Sequence, residues 1–160
     1  MKSRFADLFL LMDLYSRYII GWHVSSSLST DGALASLDMA ASQRPSSHKN
    51  IVHHSDHGVQ YPNRIYRNRL LANNLLVSMG SVGNCYDNIY AERVIGILKG
   101  EYGLDLPFVN ISQVSSVVEE VIAFYNSDRP HTSLEMATKE IFGMFPSFLF
   151  LWQYDGFLIT

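Results

Sequence analysis

The chain has one cysteine and no long apolar run, and each shortage excludes a class of protein. Cys85 is the single cysteine among 160 residues, so an intramolecular disulfide is impossible and a disulfide-stapled secreted domain is excluded. The longest apolar runs, residues 8–12 and 148–152, are far shorter than the roughly 20 residues of a membrane-spanning helix. We therefore expect no membrane span.

An excess of basic residues is also missing, as is a secretory signal. The net charge of -3 and the pI near 6.0 argue mildly against nucleic-acid binding by bulk electrostatics. No basic flank precedes an apolar core and a small-residue cleavage site at the N-terminus, which favours a cytoplasmic location. With 48% apolar residues, the chain has the composition and length of one folded globular domain.

The spacing of apolar residues predicts a hairpin followed by alternating helices and strands. Residues 7–15 and 18–24 are apolar, β-branched and aromatic segments around a polar break, which is typical of a β-hairpin. Further along, we predict helices at residues 30–44, 62–71, 87–102 and 114–125 and short strands near residues 51–55 and 75–79. This order predicts an α/β fold, a mixed sheet with helices on both faces.

Two carboxylates stand at positions where chemistry is expected. Asp56 follows a predicted strand, and Glu92 lies one turn into a predicted helix, on the face opposite its apolar seam. Asn88 and Lys99 lie beside Glu92, at four residues before it and seven after it. Carboxylates that converge at the carboxyl edge of a sheet suit a hard cation such as magnesium. Because Asp and Glu are common, this spacing alone is weak evidence.

The sequence around these carboxylates is more specific. Four motifs occur in one order: HSDHGVQY (54–61), GNCYDNIYAE (83–92), LKGE (98–101) and FYNSDRPHTSL (124–134). Together with MDLYSRYIIGW (12–22), they closely resemble the insertion-sequence transposases whose catalytic core is of the retroviral-integrase type. In that family 35 residues separate the second Asp from the Glu, and here residues 57–91 separate Asp56 from Glu92.

The resemblance implies a role for each matching residue. Asp56 and Glu92 become the second and third members of an Asp-Asp-Glu triad that binds Mg²⁺, with Mn²⁺ as a substitute. Lys99 corresponds to a basic residue that contacts the DNA end, and Asn88 and Arg129 are further DNA-binding candidates. The implied reaction is DNA cleavage and strand transfer in transposition. The implied partners are transposon ends, target DNA, a second copy of the chain or a full-length transposase.

One member of the triad has no counterpart in this chain. The family's first Asp precedes the hairpin; Asp13 belongs to the MDLYSR match and Asp7 falls where an apolar residue is usual, so neither replaces it. In the ribonuclease-H-like fold of the family that strand is the centre of the sheet. We therefore expect a core, residues 1–142, that lacks its central strand, whose neighbours lose their pairing partner. The product should be poorly stable or inactive.

The apolar tail, residues 143–160, has no functional interpretation at this stage and is an aggregation liability if exposed. A second hypothesis for the whole chain is a non-catalytic fragment that acts as an interaction or inhibitory partner of intact transposase. Asn126 and His131 match the family's end motif, where a loop-fixing role competes with DNA contact.

Three other interpretations are weaker. The cluster His53, His54, Asp56 and His57 suggests zinc, but neighbouring residues of a strand point to opposite faces and no distant ligand completes the set. Cys85 with His54 and Asp87 suggests a thiol hydrolase, although a lone cysteine in a loop is more often structural. The three arginines between residues 64 and 69 favour a solvated helix face over a DNA groove.

Overall fold

The computed structural model describes residues 4–43, 51–55, 63–79, 89–127 and 148–159. The elements within these ranges, in chain order, are β1 (Arg4–Asp13), β2 (Ile19–Ser25), α1 (Thr30–Ser42), β3 (Val52–Ser55), α2 (Arg64–Ala72), β4 (Leu76–Met79), α3 (Ile89–Gly100), α4 (Ile111–Ser127) and β5 (Phe148–Ile159). The predicted hairpin and the predicted alternation of helices and strands are confirmed. None of these helices combines the length and the apolar character that crossing a bilayer requires.

The strands form one mixed sheet in the order β2-β1-β5-β3-β4. β1 is antiparallel to both β2 and β5, whereas β3 is parallel to both β5 and β4. The mixed α/β class is therefore confirmed. The prediction that the strands on either side of the centre lose their partner is wrong, because the apolar tail contains β5 and β5 pairs with both. Backbone N–H and C=O groups in a buried sheet must be paired, and this segment supplies the partners.

β1 is buried on both of its faces, which explains its nearly continuous apolar sequence. Its even-numbered residues from Ala6 to Met12 pack with the apolar sides of α3 and α4. Phe9 and Leu11 point the other way and pack with α1 and α2. Because side chains alternate along a strand, one strand serves two cores, and helices cover both faces of the sheet.

Glycine allows α1 to lie directly on β2. A Cβ atom at Gly21 would stand 2.2 Å from the backbone oxygen of Ser36 and 2.9 Å from Cβ of Ala40. Both contacts are shorter than real Cβ atoms tolerate, and one of them is to backbone that cannot rotate away. The glycine of the MDLYSRYIIGW motif therefore sets the distance between this helix and the sheet.

Candidate functional site

α3 presents an acid and a base along one exposed stripe. Glu92, Gly96 and Lys99 follow the i, i+4, i+7 spacing of a single helix face, with Glu92 exposed and Lys99 half-buried. The opposite face is buried in the core through Val94 and Leu98. The predicted outward position of Glu92 is therefore confirmed.

The placement of the two charges on α3 suits the helix itself. Glu92 lies in the first turn and Lys99 in the last, where each complements the partial charge of the helix terminus. Between them, Gly96 has no side chain, and a Cβ atom built there would meet nothing within 4 Å. The surface between the carboxylate and the ammonium group is consequently open along the helix backbone.

β3 leads directly to Asp56. Its last residue, Ser55, is buried and pairs in register with Met79 of β4 on one side and with Leu151 of β5 on the other. A strand that is paired along both edges holds its carboxyl end in place. Asp56 itself lies outside the described residues, as do the two other predicted site residues, Asn88 and Arg129.

The two histidines of β3 have structural partners on different elements. His53 is fully buried, and its Nε2 lies 3.0 Å from the hydroxyl of Tyr66 on α2. His54 is half-buried, and its Nδ1 lies 2.9 Å from Oγ of Ser78 on β4. In the part of the chain that the structure describes, no group of three His, Cys, Asp or Glu residues could hold a metal ion. His57, Cys85 and Asp87, which the zinc and thiol interpretations need, lie outside it.

Burial makes the protonation of His53 unfavourable in the folded protein. Loss of water around the imidazole lowers its pKa from 6.5 to about 4. As the pH falls, the unfolded chain takes up this proton first, so the stabilisation is complete above pH 6.5 and is lost as the pH falls through about 4. When the pH is lowered from 7.5 to 5, we expect the protonation of His53 in the unfolded chain to reduce the free energy of unfolding by about 2 kcal/mol.

Urea denaturation at a series of pH values measures this contribution. His53→Gln should flatten the loss of stability between pH 7.5 and 5 relative to the parent chain. His23→Gln controls for removal of an imidazole from another strand. An unchanged pH profile in His53→Gln would show that the buried imidazole does not govern acid stability.

Asn126 ties α4 to the hairpin. Its Oδ1 accepts a hydrogen bond from the backbone N–H of Ile19 at 2.9 Å, and its Nδ2 donates to the carbonyl of the same residue at 2.9 Å. The side chain is buried, and Ile19 is the first residue of β2. Of the two roles considered for Asn126 in the FYNSDRPHTSL motif, the structure shows the structural one.

Asp13 fixes the turn between β1 and β2. Its buried carboxylate accepts hydrogen bonds from the backbone N–H of Ser16 at 2.8 Å and from the Ser16 hydroxyl at 2.6 Å. The backbone N–H of Arg17 donates to the carbonyl of Asp13 at 2.8 Å. The carboxylate of Asp13 is thus engaged in its own turn.

The same turn contacts the start of α3 through a cation-π pair that the sequence did not reveal. The guanidinium carbon of Arg17 lies 4.0 Å from the centroid of the Tyr90 ring. Arg17 has a φ of 63°, a left-handed conformation that few non-glycine residues adopt. Because Tyr90 is two residues from Glu92, the contact joins the hairpin turn to the helical turn that carries the carboxylate. Nothing in the local sequence of either residue indicates the pairing.

The arginines of α2 form a solvated face, as predicted. Arg64 and Arg67 are exposed, and Arg69 forms an ion pair with Asp38 of α1. The hydrogen bond to Asp38 raises the pKa of Arg69. The pair links two helices on the same side of the sheet and is exposed to solvent, so its contribution to stability is small.

Two family profiles match the sequence, and both describe an integrase core domain. One covers residues 1–85, and the other covers residues 73–138. The first spans slightly more than half of the 160 residues, and the second overlaps it and includes Glu92, Lys99 and Arg129. The two together cover the hairpin, β3, β4, α3 and α4.

Similar proteins include insertion-sequence transposases. The chain is 38% identical over 120 residues to the transposase for insertion sequence element IS629 of Shigella sonnei, which covers 74% of this chain and 40% of the relative. It is 37% identical over 92 residues to transposase InsF for insertion sequence IS3A of Escherichia coli strain K12, covering 58% of this chain and 32% of the relative. The chain thus spans less than half the length of these curated relatives.

A solved structure has the same fold. It is a cryo-electron microscopy structure of a simian T-cell lymphotropic virus intasome in complex with PP2A regulatory subunit B56 gamma. The TM-score is 0.66 at 17% sequence identity, over 83% of this chain and 46% of the matched chain. The ribonuclease-H-like class predicted from the motifs is therefore confirmed, and the chain belongs to the integrase core domain family.

Proposed function

We propose that this chain is the carboxylate-bearing part of a DNA transposase core, in which Asp56 and Glu92 jointly hold Mg²⁺ or Mn²⁺. The observation that carries the proposal is the position of Glu92, exposed in the first turn of α3 in a chain of this family. Because the Glu92 carboxylate is exposed and the neighbouring surface at Gly96 carries no side chain, a cation and a substrate can reach it.

The donor chemistry fits a hard divalent cation. Carboxylate oxygens are the ligands that Mg²⁺ prefers, and this ion retains several waters when one or two carboxylates bind it. When bound, it polarises a phosphodiester and makes a water or a 3'-hydroxyl a stronger nucleophile. Asp56 and Glu92 would act as the ligands, each from a separate element of the fold.

DNA is the proposed substrate, and the stripe on α3 is the proposed contact. The ammonium group of Lys99 attracts phosphate, and Gly96 leaves room for a backbone to approach between Lys99 and Glu92. Asn88 and Arg129 are proposed to extend this contact. As the net charge of the chain is -3, binding should rest on a local site rather than on the overall charge.

We further propose that the chain by itself does not cut DNA. The residue of β5 that pairs in register with Ser55, the last residue of β3, is Leu151. The nearest acidic residue of β5 is Asp155, four positions further and about 13 Å along an extended strand. Within β5, no carboxylate is therefore supplied at the level of Ser55.

Manganese binding, followed by the electron paramagnetic resonance signal of the free ion, tests the site. Glu92→Gln and Asp56→Asn should each weaken Mn²⁺ binding by roughly tenfold or more, because each removes a charged ligand. Glu119→Gln, an exposed carboxylate of α4, is the matched control and should bind Mn²⁺ as the parent does. Equal affinity in the parent and in Glu92→Gln would contradict the proposal.

Incubation with supercoiled plasmid and Mg²⁺ tests the proposal that the chain by itself does not cut DNA. We expect no nicked circles above a buffer control. Nicking that Glu92→Gln abolishes would contradict the inactivity while supporting the carboxylate site, and nicking that survives both substitutions would point to a contaminating nuclease.

A further inference from the structure

The turn between β1 and β2 contains a residue whose backbone conformation is unfavourable for its type. Arg17 has a φ of 63° and donates its backbone N–H to the carbonyl of Asp13 at 2.8 Å. A left-handed backbone is costly for residues with a Cβ atom, whereas glycine adopts it freely. The backbone of the turn therefore gains nothing from an arginine at position 17, and the contribution of this residue lies in its side chain.

The Arg17 side chain leaves the turn and lies on α3. Its guanidinium carbon is 4.0 Å from the centroid of the Tyr90 ring, well inside the roughly 6 Å limit of a cation-π contact. Its Nη1 is buried and has no hydrogen-bond partner in the part of the chain that the structure describes. The face of the Tyr90 ring is therefore the contact that holds this guanidinium against the helix.

The start of α3 is otherwise weakly attached to the fold. The described side chains of this helix that precede Val94 are all exposed: Ile89, Tyr90, Glu92 and Arg93. Val94, two positions after Glu92, is the first described side chain of α3 that is buried. Helix ends open easily where tertiary contacts do not hold them. The contact of Tyr90 with Arg17 is thus what fixes the turn that carries Glu92.

We propose that Arg17 is a positioning residue for Glu92. By lying over the Tyr90 ring, its guanidinium holds the first turn of α3 against the hairpin turn and keeps the carboxylate where it can bind a cation. This inference rests on the proposed function of Glu92 as a ligand of Mg²⁺ or Mn²⁺. Within the described ranges, Arg17 forms no ion pair with Glu92, so the carboxylate oxygens remain available to the metal.

The charge of Arg17 and its positioning role act in opposite directions on a bound cation. A guanidinium near the site repels a divalent cation, so removal of its charge alone would strengthen Mn²⁺ binding. Loss of positioning would weaken binding, because a ligand on an opening helical turn is in its binding position for a smaller fraction of the time. The direction of the change in affinity therefore separates the two effects.

Hydrogen exchange on Arg17→Gly measures the order of the first helical turn without any metal. In an α-helix the backbone N–H groups of Arg93 and Val94 bond to the carbonyls of Ile89 and Tyr90, so their exchange reports the opening of this turn. We expect both amides to exchange roughly three- to tenfold faster than in the parent chain. The urea midpoint should stay near that of the parent, because glycine relieves the backbone of the turn.

The amides of α4 are the internal control for this experiment. They should exchange as in the parent chain, since the Arg17 contact is made to α3 alone. Equal acceleration in α4 would show that Arg17 stabilises the whole fold, and would overturn a role specific to the turn of Glu92. Unchanged exchange at Arg93 and Val94 would overturn the proposal as well.

Mn²⁺ binding, followed by the electron paramagnetic resonance signal of the free ion, tests the effect on the site. Arg17→Gly and Tyr90→Leu should each weaken binding by roughly threefold or more, whereas Tyr90→Phe keeps the ring face and should restore the affinity of the parent. Arg93→Gln is the matched control for charge. It removes an exposed arginine next to Glu92 and should bind Mn²⁺ at least as tightly as the parent chain.

The outcomes separate this inference from the proposed function. Parent-like or tighter binding in Arg17→Gly, together with loss of binding in Glu92→Gln, would overturn the positioning role and leave the proposed function intact. Parent-like binding in Glu92→Gln would contradict the proposed function, and the positioning role with it. Binding by Tyr90→Phe as weak as that of Tyr90→Leu would assign the effect to the hydroxyl and overturn the role of the cation-π contact.

Discussion

Proline at position 150 is expected to destabilise the fold strongly. Phe150 lies in β5 where this strand is paired on both edges, with Met12 of β1 and with His54 of β3. Proline removes a backbone donor from the ladder and is otherwise found only at sheet edges and bulges. We expect Phe150→Pro to lower the free energy of unfolding by about 3 kcal/mol or more, a large share of the roughly 5–15 kcal/mol of a typical domain.

Urea denaturation followed by circular dichroism measures this effect. The matched control is Thr160→Pro, at the first position after β5, which should leave the unfolding midpoint near that of the parent chain. If Phe150→Pro unfolds at the same urea concentration as the parent, the tail does not form the central strand.

Asn126→Ala is expected to cause a loss of similar size. The substitution removes two hydrogen bonds at once and leaves both the N–H and the C=O of Ile19 without these partners in a buried position. Each unsatisfied buried group costs about 1–3 kcal/mol, so the free energy of unfolding should fall by about 3–4 kcal/mol. The hairpin should loosen first, because Ile19 opens β2.

Thermal unfolding by calorimetry, with hydrogen exchange of the β2 amides, measures both parts of this prediction. Ser127→Ala is the neighbouring control: the Ser127 hydroxyl donates to the carbonyl of Ala123 within its own helix, and its loss should cost no more than about 0.5 kcal/mol. A loss of similar size in the two variants would mean that the link between α4 and β2 contributes little.

The elements that could be predicted from the sequence are those whose pattern is local. α4 repeats apolar residues at helical spacing. In β1 the apolar residues 8–12 point alternately into the two cores on either face of the sheet. Each pattern depends on residues within one segment, so it is readable without the rest of the fold. The class of fold followed from the order of these segments.

β5 could not be placed in this way. Its apolar sequence is compatible with a buried strand and with an aggregating tail. In both cases the segment pairs its backbone groups with another strand and buries its apolar side chains. What decides between them is the gap between β1 and β3, which lies far away in sequence. The expectation of an empty centre assumed that no later segment could fill it.

The candidate site shows the same division. The exposed position of Glu92 follows from the helical periodicity of α3 and was predicted correctly. The contacts that hold its surroundings, Arg17 with Tyr90 and Asn126 with Ile19, join segments separated by more than 70 residues. Single side chains matched across such distances leave no local pattern in the sequence.

The proposed role of the chain as a transposase core depends on one shared cation, and a crystal grown with Mn²⁺ tests this directly. We expect one anomalous peak with a carboxylate oxygen of Asp56 and one of Glu92 both within about 2.0–2.6 Å of it. Carboxyl groups more than about 8 Å apart, or a peak bound by one of them and residues elsewhere, would contradict the assignment.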